Sequence, residues 1–148
     1  VSGLYRPDGK PMPNGLIIRK LDACDIQEAA PMYPGFDNPD YIVDRIEAGA
    51  VYGAFLSDNT ADDTINTLAG IIGIHEEGSI GMLYVKPQYR HRKLATALET
   101  YAFNRALENG WIPYGQIIAG NEASMRLQES MGLHFSKSSV YWMTKNNA

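Results

Sequence analysis

Apolar runs separated by short polar segments make up most of this chain. Runs at 15–21, 51–56, 67–75 and 80–85 are each bounded by glycine, proline or polar residues, which is the pattern of β-strands. The last three follow one another through a polar loop and a tight turn, with no room for a crossover helix. They therefore predict an antiparallel meander.

Helical periodicity appears after the meander. In 94–108 apolar residues recur at three- and four-residue spacing, and the following Asn109–Gly110 pair is typical of a helix end. Asn121 predicts the N-cap of a later helix, which Gly132 stops. Both helices carry one apolar face, so we expect each to pack on a sheet.

The remaining segments complete the predicted order β-α-α-β-β-β-α-β-α-β-β. Near the N-terminus a helical segment begins at Asp22, and another is capped by Asn38, with Pro39 in its first position and its end at Gly49. Three further strands are predicted at 113–119, 133–135 and 139–143. The predicted fold class is α/β, with a mixed, mostly antiparallel sheet flanked by helices.

Composition limits the function classes. The chain has 148 residues, 45% of them hydrophobic and 20% charged, and a net charge of -4. These values predict a soluble protein with an irregular leader over 1–15 and one domain over 16–148. The negative charge argues against nucleic-acid binding, and no apolar run reaches the ~20 residues of a membrane span. The single Cys24 favours a reducing, cytoplasmic compartment. Because the chain begins at Val1 rather than at methionine, a longer parent protein is one expectation.

A basic turn follows the strand at 80–85. Four of the 13 Lys and Arg residues lie within eight positions, and they are Lys86, Arg90, Arg92 and Lys93. The first turn of a helix exposes unpaired N–H groups and the positive end of the helix dipole. A strand, a basic turn and a helix N-terminus in this order therefore favour phosphate binding. A solvated basic connection is the plain alternative.

This stretch resembles the acyl-CoA loop of the GNAT N-acetyltransferases, roughly V-x-P-x-[YF]-R-x-[KR]-G-[IL]-[GA]-x-x-L. The matching residues are Val85, Pro87, Tyr89, Arg90, Arg92, Leu94, Ala95 and Leu98. The resemblance implies a GNAT-type fold in which a splayed central strand pair binds acetyl-CoA. The implied cofactor-binding residues are Leu83, Tyr84 and Val85 for the pantetheine arm, and Arg90, His91, Arg92, Lys93, Leu94, Ala95 and Thr96 for the pyrophosphate.

Lys93 departs from that pattern, which has glycine in its place. The glycine lets the backbone approach the pyrophosphate without a Cβ in between. If Lys93 has helical φ and ψ angles, its side chain can point outward. In that case we expect its charge to pair with a phosphate group of the cofactor.

The stretch from Ile112 to Leu133 is similar to a second GNAT segment, N-x-x-[AS]-x-x-L-[Y]-x-x-x-G-[FL]. Its N-E-A-S-x-R-L-Q run resembles the glycine N-acyltransferase-like branch in particular. The resemblance implies that Asn121 and Ser124 contact the CoA arm, although helix capping explains Asn121 equally well. The family often has a tyrosine that acts as the general acid at the position where this chain has Gln128. An amide cannot donate a proton at a useful pKa, so Tyr84, Ser124 and solvent remain as proton donors.

The reaction also needs a base. A free alkyl amine has a pKa of about 10.4, so it must lose a proton before it attacks a thioester. A carboxylate or an imidazole can remove that proton near neutral pH. The candidates are His75, Glu76 and Glu77, next to the predicted CoA strand. Strand alternation would put His75 and Glu77 on one face, and we favour that pair. A structural histidine beside a solvated turn is the plain alternative.

The predicted function is direct acetyl transfer, in a ternary complex, from acetyl-CoA to a small-molecule amine or amino acid. Tyr33, Phe36 and Tyr41 are candidate linings of the acceptor pocket. His91 and His134 have no partners at metal-ligand spacing, so we expect no metal. A non-catalytic CoA-binding domain and a protein or peptide N-acetyltransferase are the alternatives. Acyl length and oligomeric state, a homodimer included, stay open.

Overall fold

Four strands form one antiparallel sheet in chain order. The computed structural model describes residues 13–34, 38, 40–57 and 66–142. The strands are β1 (Leu16–Lys20), β2 (Val51–Ser57), β3 (Asn66–Ile74) and β4 (Ile80–Val85). The predicted meander is confirmed, and each strand ends within one residue of its predicted limit. Most of the predicted 1–15 leader lies outside the described residues.

Among the described residues, four α-helices flank the sheet. They are α1 (Ile26–Ala29), α2 (Tyr41–Glu47), α3 (Leu94–Glu108) and α4 (Glu122–Ser130). Short 3₁₀ turns at Ala23–Asp25, Ala30–Met32 and Pro87–Tyr89 complete the helical segments. The mixed α/β class with a mostly antiparallel sheet is therefore confirmed. None of the described helices is long and apolar enough to cross a bilayer.

Side-chain caps fix several helix starts. Asp22 accepts a hydrogen bond from the Cys24 amide at 2.9 Å. Asn38 accepts one from the Asp40 amide at 3.0 Å, but α2 begins at Tyr41 with Asp40 as its N-cap residue, so the prediction of Asn38 as the N-cap was wrong. Pro39, predicted in the first helical position, lies outside the described residues. Asn121 accepts a hydrogen bond from the Ser124 amide at 3.1 Å, so its predicted capping role is confirmed.

The sheet separates two apolar layers, because successive strand residues face opposite sides. One layer packs against α1 and α2 and contains Leu21, Ala29, Met32, Ile42, Ile46, Val51, Phe55, Leu68 and Ile71. The other packs against α3 and contains Tyr52, Ala54, Ile72, Ile80, Leu98, Ala102, Phe103, Ala106 and Met131. Both faces of the meander are thus covered, and the ends of its strands are left for a site.

A β-bulge interrupts β4. Ile71 lies opposite Tyr84 and Gly73 opposite Gly81, so two residues of β4 face one residue of β3. Met82, the first bulge residue, has a φ of 54°, in the left-handed region. A bulge bends its strand and takes backbone groups out of the ladder. It therefore frees backbone N–H and C=O groups in the middle of the predicted CoA strand.

The three strands predicted after α3 are not formed in the described residues, and this part of the prediction was wrong. The segment around Gly115 pairs with β4 at one parallel bridge to Ile80, where the Ile80 amide donates to Tyr114 at 2.7 Å. Pro113 has no N–H to extend that pairing. Phe135, together with Val140, Tyr141 and Trp142, is exposed. Residues that favour strands do so by packing on neighbours, and these side chains lack such packing.

Candidate active site

The basic turn folds back over the end of β4. The Lys86 amide donates to the Ala69 carbonyl at 2.9 Å, which holds the chain against β3 until the turn begins. Arg90 donates from Nε to the Val85 carbonyl at 3.1 Å, and its guanidinium lies 5.9 Å from the centre of the Tyr84 ring. Arg90 is thus held at the strand end through Nε, and its other N–H groups make no hydrogen bond within the described residues, so they can contact a ligand.

Lys93 adopts a left-handed conformation, with φ 62° and ψ 17°. The expectation of helical angles at this position is therefore wrong. His91 also has a positive φ, 61°. Left-handed backbone is strained for residues with a Cβ and unstrained for glycine. The glycine of the family pattern thus meets a backbone requirement of the turn, which Lys93 meets at an energetic cost. Lys93 makes no side-chain cap, so the first N–H groups of α3 stay available for an anion.

A concave site of about 210 Å³ opens between the turn and the start of α3. Its lining is Val85, Tyr89, Arg90, His91, Lys93, Leu94 and Ala95. Most of the residues predicted for the pyrophosphate therefore lie together. Two do not line it. The Arg92 guanidinium lies 5.6 Å from the centre of the Tyr89 ring, and the Thr96 carbonyl accepts a hydrogen bond from Thr100.

An aromatic cluster lies near the opposite end of β4. The rings of Tyr41 and His75 stack with centres 5.7 Å apart, and the Tyr41 hydroxyl is 3.0 Å from His75 Nδ1. Tyr33 meets the His75 ring edge-on at 6.3 Å. Tyr33 and Tyr41, which were predicted to line the acceptor pocket, therefore contact His75, one of the predicted bases. Phe36, the third, lies outside the described residues.

His75 is half-buried, and burial lowers its pKa below the ordinary value of 6.5. The ring is therefore neutral at pH 7. The Tyr41 oxygen lies 3.4 Å from the Glu76 amide, which donates to it. The phenol proton is then available for His75 Nδ1. The other ring nitrogen, Nε2, lies against the backbone of Gly81, where a Cβ would clash with it. Proton transfer to His75 is thus most direct at Nδ1, through the Tyr41 hydroxyl.

Glu77 lies in a turn beside this ring. Because β3 ends at Ile74, strand alternation does not explain its orientation, and that argument was wrong. Instead, the His75 amide donates to Ser79 at 2.8 Å and closes the turn. Glu77 accepts a hydrogen bond from the Ser79 hydroxyl at 2.6 Å. Burial acts to raise the pKa of Glu77, but that hydrogen bond and nearby positive charge lower it below its ordinary value.

The distance between the two ends of β4 suits an extended cofactor. Gly81, which touches His75, precedes Val85, which lines the concave site, by four residues. Four residues of extended strand span about 13 Å. The bulge at Met82 and the single bridge at Gly115 leave the intervening backbone open on one side. An elongated ligand can therefore lie along β4 from the basic turn to the aromatic cluster.

The sequence interpretation missed one titratable residue, Glu99. This side chain is buried between α3 and α4, with 4% of its surface exposed, and it accepts a hydrogen bond from Gln128. Its only signal in the sequence was a carboxylate directly after Leu98, on a helix whose other buried residues are all apolar except Thr100. In the part of the chain that the structure describes, no group of His, Cys, Asp and Glu side chains could hold a metal ion.

The bulged strand, the basic turn and the uncapped helix together form the segment whose sequence resembles the acyl-CoA loop of the GNAT N-acetyltransferases. The chain matches the acetyltransferase (GNAT) family over residues 19–133 and belongs to it. It is accordingly an acetyltransferase by family.

Solved structures share the fold. A Drosophila protein superimposes with a TM-score of 0.70 at 22% identity over 87% of this chain, which spans only 42% of that protein. Ribosomal-protein-alanine N-acetyltransferase from Brucella melitensis has a TM-score of 0.64 at 20% identity, over 88% of this chain and 99% of its own. An aminoglycoside N-acetyltransferase in complex with CoA has a TM-score of 0.65 at 13% identity, over 92% and 99%. No curated protein sequence matches the chain significantly.

Proposed function

We propose that this enzyme moves an acetyl group from acetyl-CoA to the primary amine of a small molecule or amino acid, by direct transfer in a ternary complex. One observation carries the proposal. The two ends of β4 hold complementary machinery, a concave basic site at Val85 and a neutral His75 among tyrosines near Gly81. A cofactor anchored at the first end presents its thioester toward the second.

The cofactor is held mostly by backbone in this proposal. Arg90 and the first N–H groups of α3 bind the pyrophosphate, with Lys93 adding charge at its rim. Backbone groups of Leu83, in the bulge, and of Val85, at the end of the strand, pair with the amides of the pantetheine arm. Asn121 and Ser124, at the start of α4, contact the arm from the other side. A freed N–H of β4 also stabilises the oxyanion that forms when the amine attacks.

The base is the His75 group. An amine with a pKa of about 10.4 enters charged and must lose two protons in all, one before and one during amide formation. Tyr41 passes a proton to Nδ1 of the neutral imidazole, and Glu77 stabilises the charge that results. Glu76 contributes its backbone amide to Tyr41 rather than its side chain.

The aromatic cluster favours a small acceptor, because the rings of Tyr33 and Tyr41 lie close to each other and to His75, with Tyr33 centred 6.4 Å from Tyr41 and 6.3 Å from His75. The resemblance of 121–128 to the glycine N-acyltransferase-like branch supports an amino-acid acceptor. A protein N-terminus is the second candidate, since the fold is shared with a ribosomal-protein-alanine N-acetyltransferase. A cytoplasmic location belongs to the same proposal, because the exposed free thiol of Cys24 suits a reducing compartment.

The test combines binding and turnover. Calorimetry measures acetyl-CoA affinity, and CoA release is followed with glycine, other amino acids, an aminoglycoside and an alanine-starting peptide as acceptors. We expect binding and CoA release with one of the small amines. Release with the peptide alone would favour the protein-directed alternative. Binding without release for every acceptor would favour a non-catalytic CoA-binding domain, and absence of binding would contradict the whole proposal.

A further inference from the structure

We propose that Glu99, oriented by Gln128, donates the proton that the CoA thiolate needs when it leaves. This assignment rests on the proposed function, since it requires acetyl-CoA to lie along β4. It fills the role left open by the amide of Gln128, which cannot itself act as an acid.

The first support is the state of the carboxyl group. Glu99 Oε1 accepts a hydrogen bond from the Gln128 side chain, whereas Oε2 is buried and has no hydrogen-bond partner among the described residues. Burial disfavours the charged carboxylate far more than the neutral carboxylic acid, so it favours the protonated form. Because Oε1 accepts the hydrogen bond from Gln128, the proton of the neutral group lies on Oε2.

The second support is position. Glu99 follows Ala95, which lines the concave site, by four residues, and Gln128 follows Ser124 by four. Four residues make about one helical turn, or ~6 Å along each axis. The pair thus bridges α3 and α4 one turn beyond the residues proposed to hold the cofactor on both helices.

The direction of α3 agrees with this position. Leu98, beside Glu99, lies with Val85 against Gly70, at the turn end of β4. Further along α3, Ala102 and Ala106 pack with Leu98 in the apolar cluster on this face of the sheet, which also contains Ile80 from the start of β4. The helix therefore runs back along β4 from the pyrophosphate site, in the direction that the pantetheine arm must take.

The electrostatic setting agrees too. Burial raises the pKa of Glu99 to about 7, against a smaller lowering by the Gln128 amide. In the part of the chain that the structure describes, no charged side chain contributes to this shift. A thiol has an ordinary pKa of about 8.5, so transfer of the proton from Glu99 to a thiolate is downhill.

The step balances without a further reagent. The amine nitrogen bonds to the thioester carbon, and the C–S bond of the tetrahedral intermediate breaks with its electron pair on sulfur. The proton on Glu99 Oε2 passes to sulfur and gives CoA as the free thiol. The two protons taken from the charged amine leave through His75 to solvent, and the Glu99 carboxylate regains one from solvent.

Two measurements test the assignment, and the first needs no acceptor. Difference infrared spectra of the wild type, with CoA and with desulfo-CoA, follow the carbonyl band of protonated Glu99, identified by its loss in Glu99→Gln. We expect the band to differ between the two ligands, because only CoA places sulfur beside Oε2. Identical bands, with both ligands bound, would overturn the assignment and leave the proposed function intact. Failure of both ligands to bind the wild type would overturn the proposed function, and this assignment with it.

The second measurement is a rescue. With the best acceptor, Glu99→Gln should lower kcat by about 10²–10⁴-fold and leave acetyl-CoA affinity within about threefold. The matched control Glu129→Gln changes an exposed carboxylate on α4 and should have no effect. Adding Gln128→Tyr to Glu99→Gln should restore at least tenfold of the loss and move the alkaline limb of the pH–rate profile from near 7 toward 10, the ordinary pKa of tyrosine. Full activity in Glu99→Gln, or no rescue and an unmoved limb, would overturn the assignment.

Discussion

His75 and Glu99 are titratable groups in two different regions of the molecule. Burial changes the pKa of both, but in opposite directions. His75 is half-buried among tyrosines at the β3–β4 turn, and burial lowers its pKa. Glu99 is buried between two helices, and burial raises its pKa to about 7. Desolvation disfavours the charged form in both cases, so each group is neutral over a range just below pH 7.

The difference between the two regions teaches how a base and an acid can work at one pH. A neutral imidazole can accept a proton, and a neutral carboxyl can give one. Environments that push two pKa values apart in this way are a recurring mark of acid–base pairs in enzymes. Here the expected result is a bell-shaped pH–rate profile, with an acidic limb from His75 below 6.5 and an alkaline limb from Glu99 near 7.

Among the variants considered, removal of the base His75 should have the largest effect on the rate. His75→Ala should lower kcat by about 10²–10⁴-fold and abolish the acidic limb, while acetyl-CoA affinity is kept. The control is His134→Ala, which removes an exposed imidazole. Glu77→Gln should shift the acidic limb to lower pH, because it removes a charge that favours protonated His75. Wild-type turnover and an unchanged limb in His75→Ala would mean that the base lies elsewhere.

The protonation of Glu99 can be measured through the pH dependence of the free energy of unfolding. Between the ordinary carboxyl pKa of 4.5 and about 7, folded Glu99 holds a proton that the unfolded chain has lost. The contribution of Glu99 to the free energy of unfolding is therefore fully present below pH 4.5 and is lost as the pH rises through 7. The shift corresponds to roughly 3 kcal/mol. In urea unfolding, Glu99→Gln should therefore gain about 3 kcal/mol relative to wild type between pH 4 and pH 8, whereas Glu129→Gln should gain nothing. Parallel curves for Glu99→Gln and wild type would show that Glu99 is ionised in the fold.

Both roles depend on a cofactor anchored at the basic turn. Charge-assisted hydrogen bonds contribute ~1.5–3 kcal/mol each, so Arg90→Ala should weaken acetyl-CoA binding about tenfold or more. Arg92→Ala should have a smaller effect, since Arg92 lies against Tyr89 and does not line the concave site. Arg126→Ala, which removes an exposed guanidinium from α4, is the calorimetric control. Equal affinities for all three variants would exclude the turn as the anchor.

The smallest expected effect concerns Lys93. Because its φ is 62°, Lys93→Gly should relieve strain and stabilise the fold by about 0.5–1 kcal/mol. Lys93→Ala keeps the Cβ and removes the charge, so it should give no such gain. Lys93→Glu should weaken acetyl-CoA binding, because it places a negative charge beside the phosphates. Unfolding curves and calorimetry on the three variants separate backbone strain from charge. Equal stability of the Gly and Ala variants would contradict the strain.

Local signals explain how much of this could be predicted from the sequence. Strand limits, the Asn121 cap and the bounds of α3 are set by turn residues and periodicity, and all were predicted closely. The strands expected beyond Gly110 failed because they need packing partners, which sequence pattern does not report. The left-handed Lys93 follows from the closure of the turn on β4. Glu99 needed the fold itself, since its partner Gln128 lies 29 positions away.

The most direct test of the account is a titration of acetyl-CoA into isotope-labelled protein, followed by backbone and side-chain amide NMR. We expect the largest shifts at 83–85 and 90–96, with smaller ones at Asn121, at Ser124 and at the Gln128 side-chain amide. That result would place the cofactor along β4 and between α3 and α4. Shifts confined to the exposed apolar segment 133–142, or no shifts at saturating acetyl-CoA, would contradict it.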